Sequence, residues 1–178
     1  MNCAPFTLRP CPRQLLLALC CAGLLAACGQ SATTAPTALE LKPDTACSLD
    51  GMVLLDYPGP KAQIHYAQGN PEFFCDTVEM FSIYLQPEQQ KRVTALFVQD
   101  MATADWNRPL DHWIDAKSAF YVVGSKRRGS MGPTLASFGN ESAAQAFAQK
   151  EGGKVHRFNE ITPAMVALDG GVIKDRLM

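Results

Sequence analysis

The chain has 178 residues, a formal net charge of −1 and an apolar fraction of 47%. A chain of this length forms one domain, or two small halves that share a core, and the composition is that of an ordinary globular protein. The nearly balanced charge gives no electrostatic reason to expect nucleic acid as a partner.

The N-terminus predicts an export signal that ends in a lipidated cysteine. Arg9 and Arg13 supply positive charge, and residues 14–27 form an apolar run shorter than the ~20 residues of a membrane-spanning helix. The run ends in Leu-Ala-Ala-Cys28, the pattern of a bacterial lipobox; the alternative is an ordinary cleaved signal with a chance cysteine. We expect a lipoprotein signal peptide over residues 1–27 and lipid attachment at Cys28, which anchors the protein to a cell-envelope membrane.

A flexible tether and a folded domain are expected after the signal. Residues 28–45 are rich in Ala, Thr and Pro and lack sustained periodicity, which is typical of a tether. The domain is expected to occupy residues 46–178 and to contain two similar units, at about 50–100 and 117–160.

Each unit has the hydrophobic pattern of two strands, a helix and a third strand. Phe74-Cys75-Asp76 corresponds to Phe138-Gly139-Asn140, each being a strand end, a junction and a helix cap. We therefore predict an α+β fold in which two ββαβ units pack together. The predicted strands lie at 52–56, 62–66, 72–74, 93–98, 120–123, 134–138 and 155–158, with 52–56 and 62–66 forming a hairpin, and the predicted helices at 76–85, 141–150 and 161–168.

Two cysteines, Cys47 and Cys75, remain once the signal and the lipid attachment site are set aside. In an oxidising compartment the common outcome for two cysteines is a disulfide, whereas the alternative is that the thiols stay reduced because something binds them. Cys75 at a helix start has the setting of a reactive thiol, with His65 or His112 as its base. The chain lacks the usual hydrolase, zinc-protease, P-loop and dinucleotide motifs, so we expect no enzyme.

The methionines of the predicted domain point to a soft metal. Met52 lies at a strand entrance, Met80 in the first turns of a helix and Met131 in a glycine-flanked loop, a poor place for a core residue. Thioethers combined with a thiolate select Cu(I) over harder ions. For Met80 the alternative is that it fills the core.

Several strings of the domain together resemble the NosL family of nitrous oxide reductase accessory proteins. The resemblance extends from Cys47 to about Phe158 and includes the lipobox, and it rests on the order and spacing of the strings rather than on any one of them. The strings are CSLDGM at 47–52, DYPGPKAQIHY at 56–66, FFCDTVEM at 73–80, WIDA at 113–116, FYVVG at 120–124 and SMGP at 130–133.

The resemblance implies a periplasm-facing copper chaperone and not an enzyme. Such a protein binds one Cu(I) ion and delivers it to apo nitrous oxide reductase for assembly of that enzyme's copper–sulfide cluster. The implied partners are nitrous oxide reductase with its maturation machinery, and the membrane through the lipid anchor. The family fold, a pair of ββαβ units, agrees with the duplication predicted above.

The resemblance also implies a set of copper ligands. Cys47, Met52, Met80 and Met131 match the metal-associated positions of the family, and Cys75 and His65 are additional candidates that complete the shell. Many members carry C-x-x-C-G-M where this chain has Asp50 in place of the second cysteine. We therefore expect a low-coordinate site of one thiolate and two or three thioethers, near the rim between the two halves.

Three other functions are compatible with the sequence. The first is a structural or partner-binding envelope lipoprotein without metal, stapled by a disulfide between the two cysteines. The second is an enzyme that exchanges thiols or cleaves carbon–metal bonds, which rests on fold analogy alone. The third is copper storage or detoxification by the same site.

Overall fold

A computed structural model describes residues 36–90 and 92–168. The predicted signal peptide, the lipid attachment site Cys28 and the tether up to residue 35 lie outside the described residues. Across the two described ranges, no helix combines the length and apolar character that crossing a bilayer requires.

The first unit is an antiparallel sheet with one main helix. Its elements are β1 Ala62–Tyr66, β2 Glu72–Phe74, α1 Thr77–Tyr84, α2 Pro87–Gln90, β3 Val93–Gln99 and β4 Trp113–Asp115. The spatial strand order is β2-β1-β3-β4, and all neighbouring strands are antiparallel. Helix α1 and the short helix α2 connect β2 to β3.

The second unit repeats this arrangement with three strands and a helix. Its elements are β5 Phe120–Val123, β6 Arg128–Gly129, β7 Gly132–Pro133, β8 Ala136–Phe138, α3 Glu141–Glu151 and β9 Lys154–Arg157. The strand order is β8-β5-β9, again antiparallel, and helix α3 joins β8 to β9. A two-stranded hairpin, β6–β7, is inserted between β5 and β8.

The predicted α+β fold of two similar ββαβ units is confirmed. In each unit the first strand is central, because β1 pairs with β2 and β3 as β5 pairs with β8 and β9. The two main helices begin alike: Asp76 accepts a hydrogen bond from the backbone N–H of Val78, and Asn140 accepts one from that of Ala143, both at 2.9 Å. These caps satisfy backbone donors that the first helical turn leaves free.

Two segments differ from the sequence prediction. The apolar run 52–56 is no hairpin partner of β1; Val53 bridges to Ala46, and Leu54–Asp56 forms a 3-10 turn. Pro58 and Pro60 then follow, and prolines cannot donate to a strand ladder. Segment 161–168 contains only the 3-10 turn Pro163–Met165 instead of a helix, since so short a segment gains little from helix propagation and is fixed by packing.

One hydrophobic cluster joins the two units. It includes Ile64 and Leu96 from the first sheet, Phe81 from α1, and Tyr121 and Leu135 from the second unit, all 2% exposed or less. The rings of Phe81 and Tyr121 meet edge to face at a centroid distance of 5.0 Å. The shared core fixes the start of α1 relative to the second unit.

The start of α1 is also bound by polar contacts to the second unit. Thr77 donates its hydroxyl to the carbonyl oxygen of Leu135 at 2.7 Å, and Thr134 donates to the carboxylate of Asp76 at 2.8 Å. Gly129 of the β6–β7 hairpin packs so closely here that a Cβ atom would overlap the Asp76 carboxylate and approach Thr134 Cβ to 2.9 Å. Only glycine permits this contact between the hairpin and the helix.

Replacing Gly129 by alanine is therefore expected to destabilise the domain. Forcing a methyl group into this packed contact should lower the free energy of unfolding by about 1–3 kcal/mol. Urea denaturation of the soluble domain measures the change. The neighbouring exposed substitution Arg128→Ala is the control and should stay within about 0.5 kcal/mol of the parent. If both variants unfold with the parent's free energy, the close packing does not hold the hairpin.

Candidate metal centre

Four side chains converge at one end of α1: Cys47, Asp50, Cys75 and Glu79. Their candidate ligand atoms all lie within 4.8 Å of one another. Cys47, Cys75 and Glu79 are buried, whereas Asp50 is exposed. This donor cluster has two sulfur and two carboxylate ligands and opens to solvent on the Asp50 side.

The loop at residues 47–52 supplies Cys47 and Asp50. The backbone N–H of Cys47 donates to Met52 at 2.8 Å, and that of Gly51 donates to the Cys47 carbonyl at 2.9 Å. The Asp50 carboxylate accepts from the N–H of Met52 at 2.9 Å. Gly51 has φ +78°, a conformation that glycine adopts without the Cβ penalty. The loop therefore closes on itself and turns Cys47 inward.

The junction between β2 and α1 supplies Cys75 and Glu79. Cys75 precedes the cap Asp76, and Glu79 completes the capping box by accepting from the Asp76 N–H at 3.3 Å. Residues i and i+4 lie on the same face at a helix start, so the Glu79 carboxylate reaches back to Cys75. Its Oε2 atom is 3.2 Å from Cys75 Sγ and 3.3 Å from Cys47 Sγ.

Hydrogen bonds to the edge strand β2 bring the two segments together. The N–H of Ser48 donates to the Phe73 carbonyl at 2.8 Å, and the N–H of Phe73 donates to Ser48 Oγ at 3.2 Å. Leu54 is buried with the two cysteines, while Leu41, Met52 and Phe73 pack against them. The thiols therefore lie in an apolar shell that limits the access of water.

Both thiols are free, and each of them shifts the pKa of the other. The pKa of Cys47 is lowered, chiefly because Cys75 donates a hydrogen bond to its sulfur. The pKa of Cys75 is raised by that same hydrogen bond, by burial and by the negative charge of Glu79. Cys47 thus becomes a thiolate first, and it is the thiolate that binds soft metals.

The candidate residues from the sequence lie in different places. Cys47 and Cys75 meet in the donor cluster, and Met52 packs against them. Met131 is 50% exposed at the tip of the β6–β7 hairpin. The residue before it, Ser130, donates its hydroxyl to the Cys75 carbonyl at 2.6 Å, which ties the hairpin tip to the site.

Met80 and His65 lie outside the donor cluster. Met80 is fully buried in the core cluster that joins the two units. The ring nitrogen Nε2 of His65 is 3.0 Å from Gln63 Oε1, and the ring packs edge to face on Phe97 at 5.2 Å. Both side chains are thus engaged by neighbours other than the two cysteines.

Two members of the donor cluster, Glu79 and Asp50, were not among the residues predicted as ligands. The sequence did carry a signal for Glu79, because it follows Cys75 by four residues at a capped helix start. Asp50 follows Cys47 by three residues in the same loop, and its carboxylate lies beside both thiols.

Neutralising Glu79 should make the Cys75 thiol easier to ionise. A negative charge beside Cys75 disfavours its thiolate, so Glu79→Gln is expected to lower the pKa of Cys75. Titration of the thiolate ultraviolet absorbance of the metal-free domain measures this shift. Glu88→Gln on the short helix α2 is the control and should leave the titration unchanged. A thiol titration that stays in place or moves to higher pH in Glu79→Gln contradicts the assigned role.

Comparison with known proteins gives the family. The NosL family model matches residues 38–166. The copper-binding lipoprotein NosL of Stutzerimonas stutzeri is 46% identical over 121 residues, which cover 67% of this chain and 63% of that protein. Its counterpart of the same name from Achromobacter cycloclastes is 40% identical over 149 residues, covering 80% and 77% of the two chains.

A solved structure agrees with this result. The crystal structure of the copper chaperone NosL from Shewanella denitrificans is 37% identical, with a TM-score of 0.69, and the match covers 72% of this chain and 97% of that one. The donor cluster, residues 47–79, lies within the region that the family model matches. The chain belongs to the NosL family.

Proposed function

We propose that this protein binds one Cu(I) ion through Cys47 and Cys75 and delivers it to apo nitrous oxide reductase for assembly of that enzyme's copper–sulfide cluster. The observation that carries the proposal is the pair of free, buried thiols that share the Glu79 carboxylate. The names of the relatives, copper-binding lipoprotein and copper chaperone, support the choice of metal.

Sulfur ligands favour Cu(I). Thiolates are soft, polarisable donors that select Cu(I), whereas carboxylates suit harder ions. Two thiolates whose ligand atoms lie within 4.8 Å of each other need little rearrangement to hold one ion between them. Glu79 and Asp50 are close enough to complete the coordination, and the apolar shell of Leu54 and Phe73 restricts water and oxidants.

We propose Met52 and Met131 as the thioether ligands. Met52 packs against the two cysteines, and Met131 lies on a hairpin tip that is hydrogen-bonded to Cys75 through Ser130. Met80 and His65 would first have to leave packed positions, so we omit them from the proposed set. An exposed thioether suits transfer, because a partner can displace it without unfolding the domain.

We further propose that lipidated Cys28 anchors the protein to a cell-envelope membrane with the domain facing the periplasm. The relatives are named lipoproteins, and the chain has a lipobox before Cys28. Residues near the end of the tether lie along the domain: Leu39 and Gln63 exchange hydrogen bonds of 3.0 and 2.6 Å.

Removing either thiol should abolish tight copper binding. Cys47→Ser and Cys75→Ser are each expected to weaken Cu(I) binding by about 100-fold or more, because each leaves a single thiolate. An anaerobic competition titration of the reduced soluble domain against a Cu(I)-specific chelator measures this. Met101→Leu, in a separate hydrophobic cluster, is the control and should bind like the parent.

The same preparation separates copper binding from a disulfide staple. The parent domain, purified without reductant and demetallated, should show both thiols free. A thiol count of zero, together with no Cu(I) uptake, would support the metal-free structural lipoprotein instead.

Transfer distinguishes delivery from storage. Copper-loaded domain mixed with apo nitrous oxide reductase under anaerobic conditions should lose its copper to the enzyme, which is measured as the copper content of each protein after the two are separated. Met131→Leu is expected to slow this transfer by about tenfold while leaving the copper affinity within a few-fold of the parent, since an exposed ligand acts mainly in exchange.

Met165→Leu, which changes a methionine that packs against the main core, is the matched control and should transfer at the parent rate. Copper that remains with the parent domain in the presence of the apoenzyme argues for storage. A Met131→Leu variant that transfers as fast as the parent removes Met131 from the proposed ligand set.

A further inference from the structure

Lys61 is a buried lysine directly behind the donor cluster. Its exposure is 0%, and among the buried polar side chains of residues 36–90 and 92–168 it is the one Lys or Arg. Its ammonium donates to the carbonyl oxygen of Cys75 at 2.9 Å and to that of Pro58 at 3.1 Å. Both acceptors are uncharged carbonyl oxygens, so these two hydrogen bonds alone do not balance the positive charge of the Lys61 ammonium.

The groups that can balance the charge of Lys61 are Asp76 and three members of the donor cluster. Burial disfavours the charged form of Lys61, whereas the negative charge of Asp76, followed by those of Cys75, Glu79 and Cys47, favours it. A buried ammonium persists in a protein only where opposite charge or strong hydrogen bonds replace its hydration. Lys61 therefore interacts favourably with Asp76 and with the anionic side chains of the donor cluster.

The carbonyl of Cys75 connects Lys61 to the metal ligands. That oxygen accepts two hydrogen bonds, from Lys61 Nζ at 2.9 Å and from Ser130 Oγ at 2.6 Å. The peptide it belongs to joins the end of β2 to the cap of α1, where the chain direction sets the orientation of the Cys75 side chain. Two donors on one carbonyl hold that peptide in place.

The backbone of Lys61 is fixed as well. Its N–H donates to Gln99 Oε1 at 2.9 Å, and Gln99 is itself fully buried on β3. The lysine thus extends from a rigid part of the first sheet, immediately before β1, and the ammonium has a defined position relative to Cys75.

We propose that Lys61 is a positioning residue for copper: it orients Cys75 through the carbonyl hydrogen bond and supplies the positive charge that balances the anionic donors when Cu(I) is bound. The inference rests on the proposed copper-binding function. One monovalent ion between two thiolates leaves an uncompensated negative charge, and an ionised Glu79 adds to it. An ammonium held on the Cys75 carbonyl lowers the free-energy cost of collecting those charges in an apolar shell.

Substitution of Lys61 tests the proposal. Lys61→Met keeps the length of the side chain but removes its charge and donors, and it is expected to weaken Cu(I) binding by about tenfold or more. Lys61→Arg, which restores charge and donors, should recover a substantial part of the affinity. Lys117→Met, at an exposed turn before β5, is the matched control and should bind copper like the parent.

The measurements are anaerobic Cu(I) competition titrations, the melting temperature of each metal-free variant, and the number of sulfur neighbours of copper by X-ray absorption. A positioning role predicts that Lys61→Met loses a sulfur neighbour or affinity even where the metal-free fold melts like the parent. If Lys61→Met does not fold, Lys61→Gln, which keeps an N–H donor without charge, takes its place in the comparison.

Lys61 variants that bind copper within about twofold of the parent, with unchanged sulfur coordination, overturn the proposal. The proposal is also overturned if the Cu(I) affinity of the Lys61 variants falls only in proportion to their melting temperatures and Lys61→Arg does not restore it. Cu(I) binding by the parent domain is measured first. If the parent domain does not bind Cu(I), the proposed function itself is contradicted, and the comparison of Lys61 variants does not arise.

Discussion

The carboxylate of Glu79 is the point on which both the fold and the candidate site depend. Its Oε2 atom accepts from the Asp76 backbone N–H and lies within hydrogen-bond distance of both thiols. The first of these contacts completes the cap of α1, and the other two hold Cys47 and Cys75 on either side of one oxygen. Because these groups share one acceptor, the same oxygen atom both caps α1 and holds the two sulfur atoms near each other.

Local signals in the sequence were sufficient for the architecture. Asp76 and Asn140 both proved to be helix caps, and the strands on either side of them pair as the ββαβ pattern requires. These features depend on neighbours within a few residues. The apolar run 52–56 shows where local signals are insufficient. It was predicted to pair with β1, but Val53 pairs with Ala46 instead, and composition does not distinguish between these two partners.

The site was only partly predictable, for a physical reason. Cys47 approaches Cys75 because Ser48 forms hydrogen bonds with Phe73 on the edge strand β2. The two residues are far apart in the sequence, so no local sequence pattern predicts this contact. Methionine type and loop position suggested thioethers as ligands, yet Met80 fills the core. The spacing of Glu79 from Cys75 could have indicated that carboxylate, whereas the roles of Asp50 and Lys61 depend on contacts that only the folded structure shows.

The duplicated architecture offers two equivalent junctions, yet only one of them has a thiol. Cys75 in the first unit corresponds to Gly139 in the second, each directly before the cap of the main helix. A Cβ atom on Gly139 would lie 2.8 Å from an Asp100 carboxylate oxygen, so a side chain there would have to displace that aspartate. The repeated backbone therefore carries a thiol at the first junction, whereas the packing of Asp100 excludes any side chain from the second.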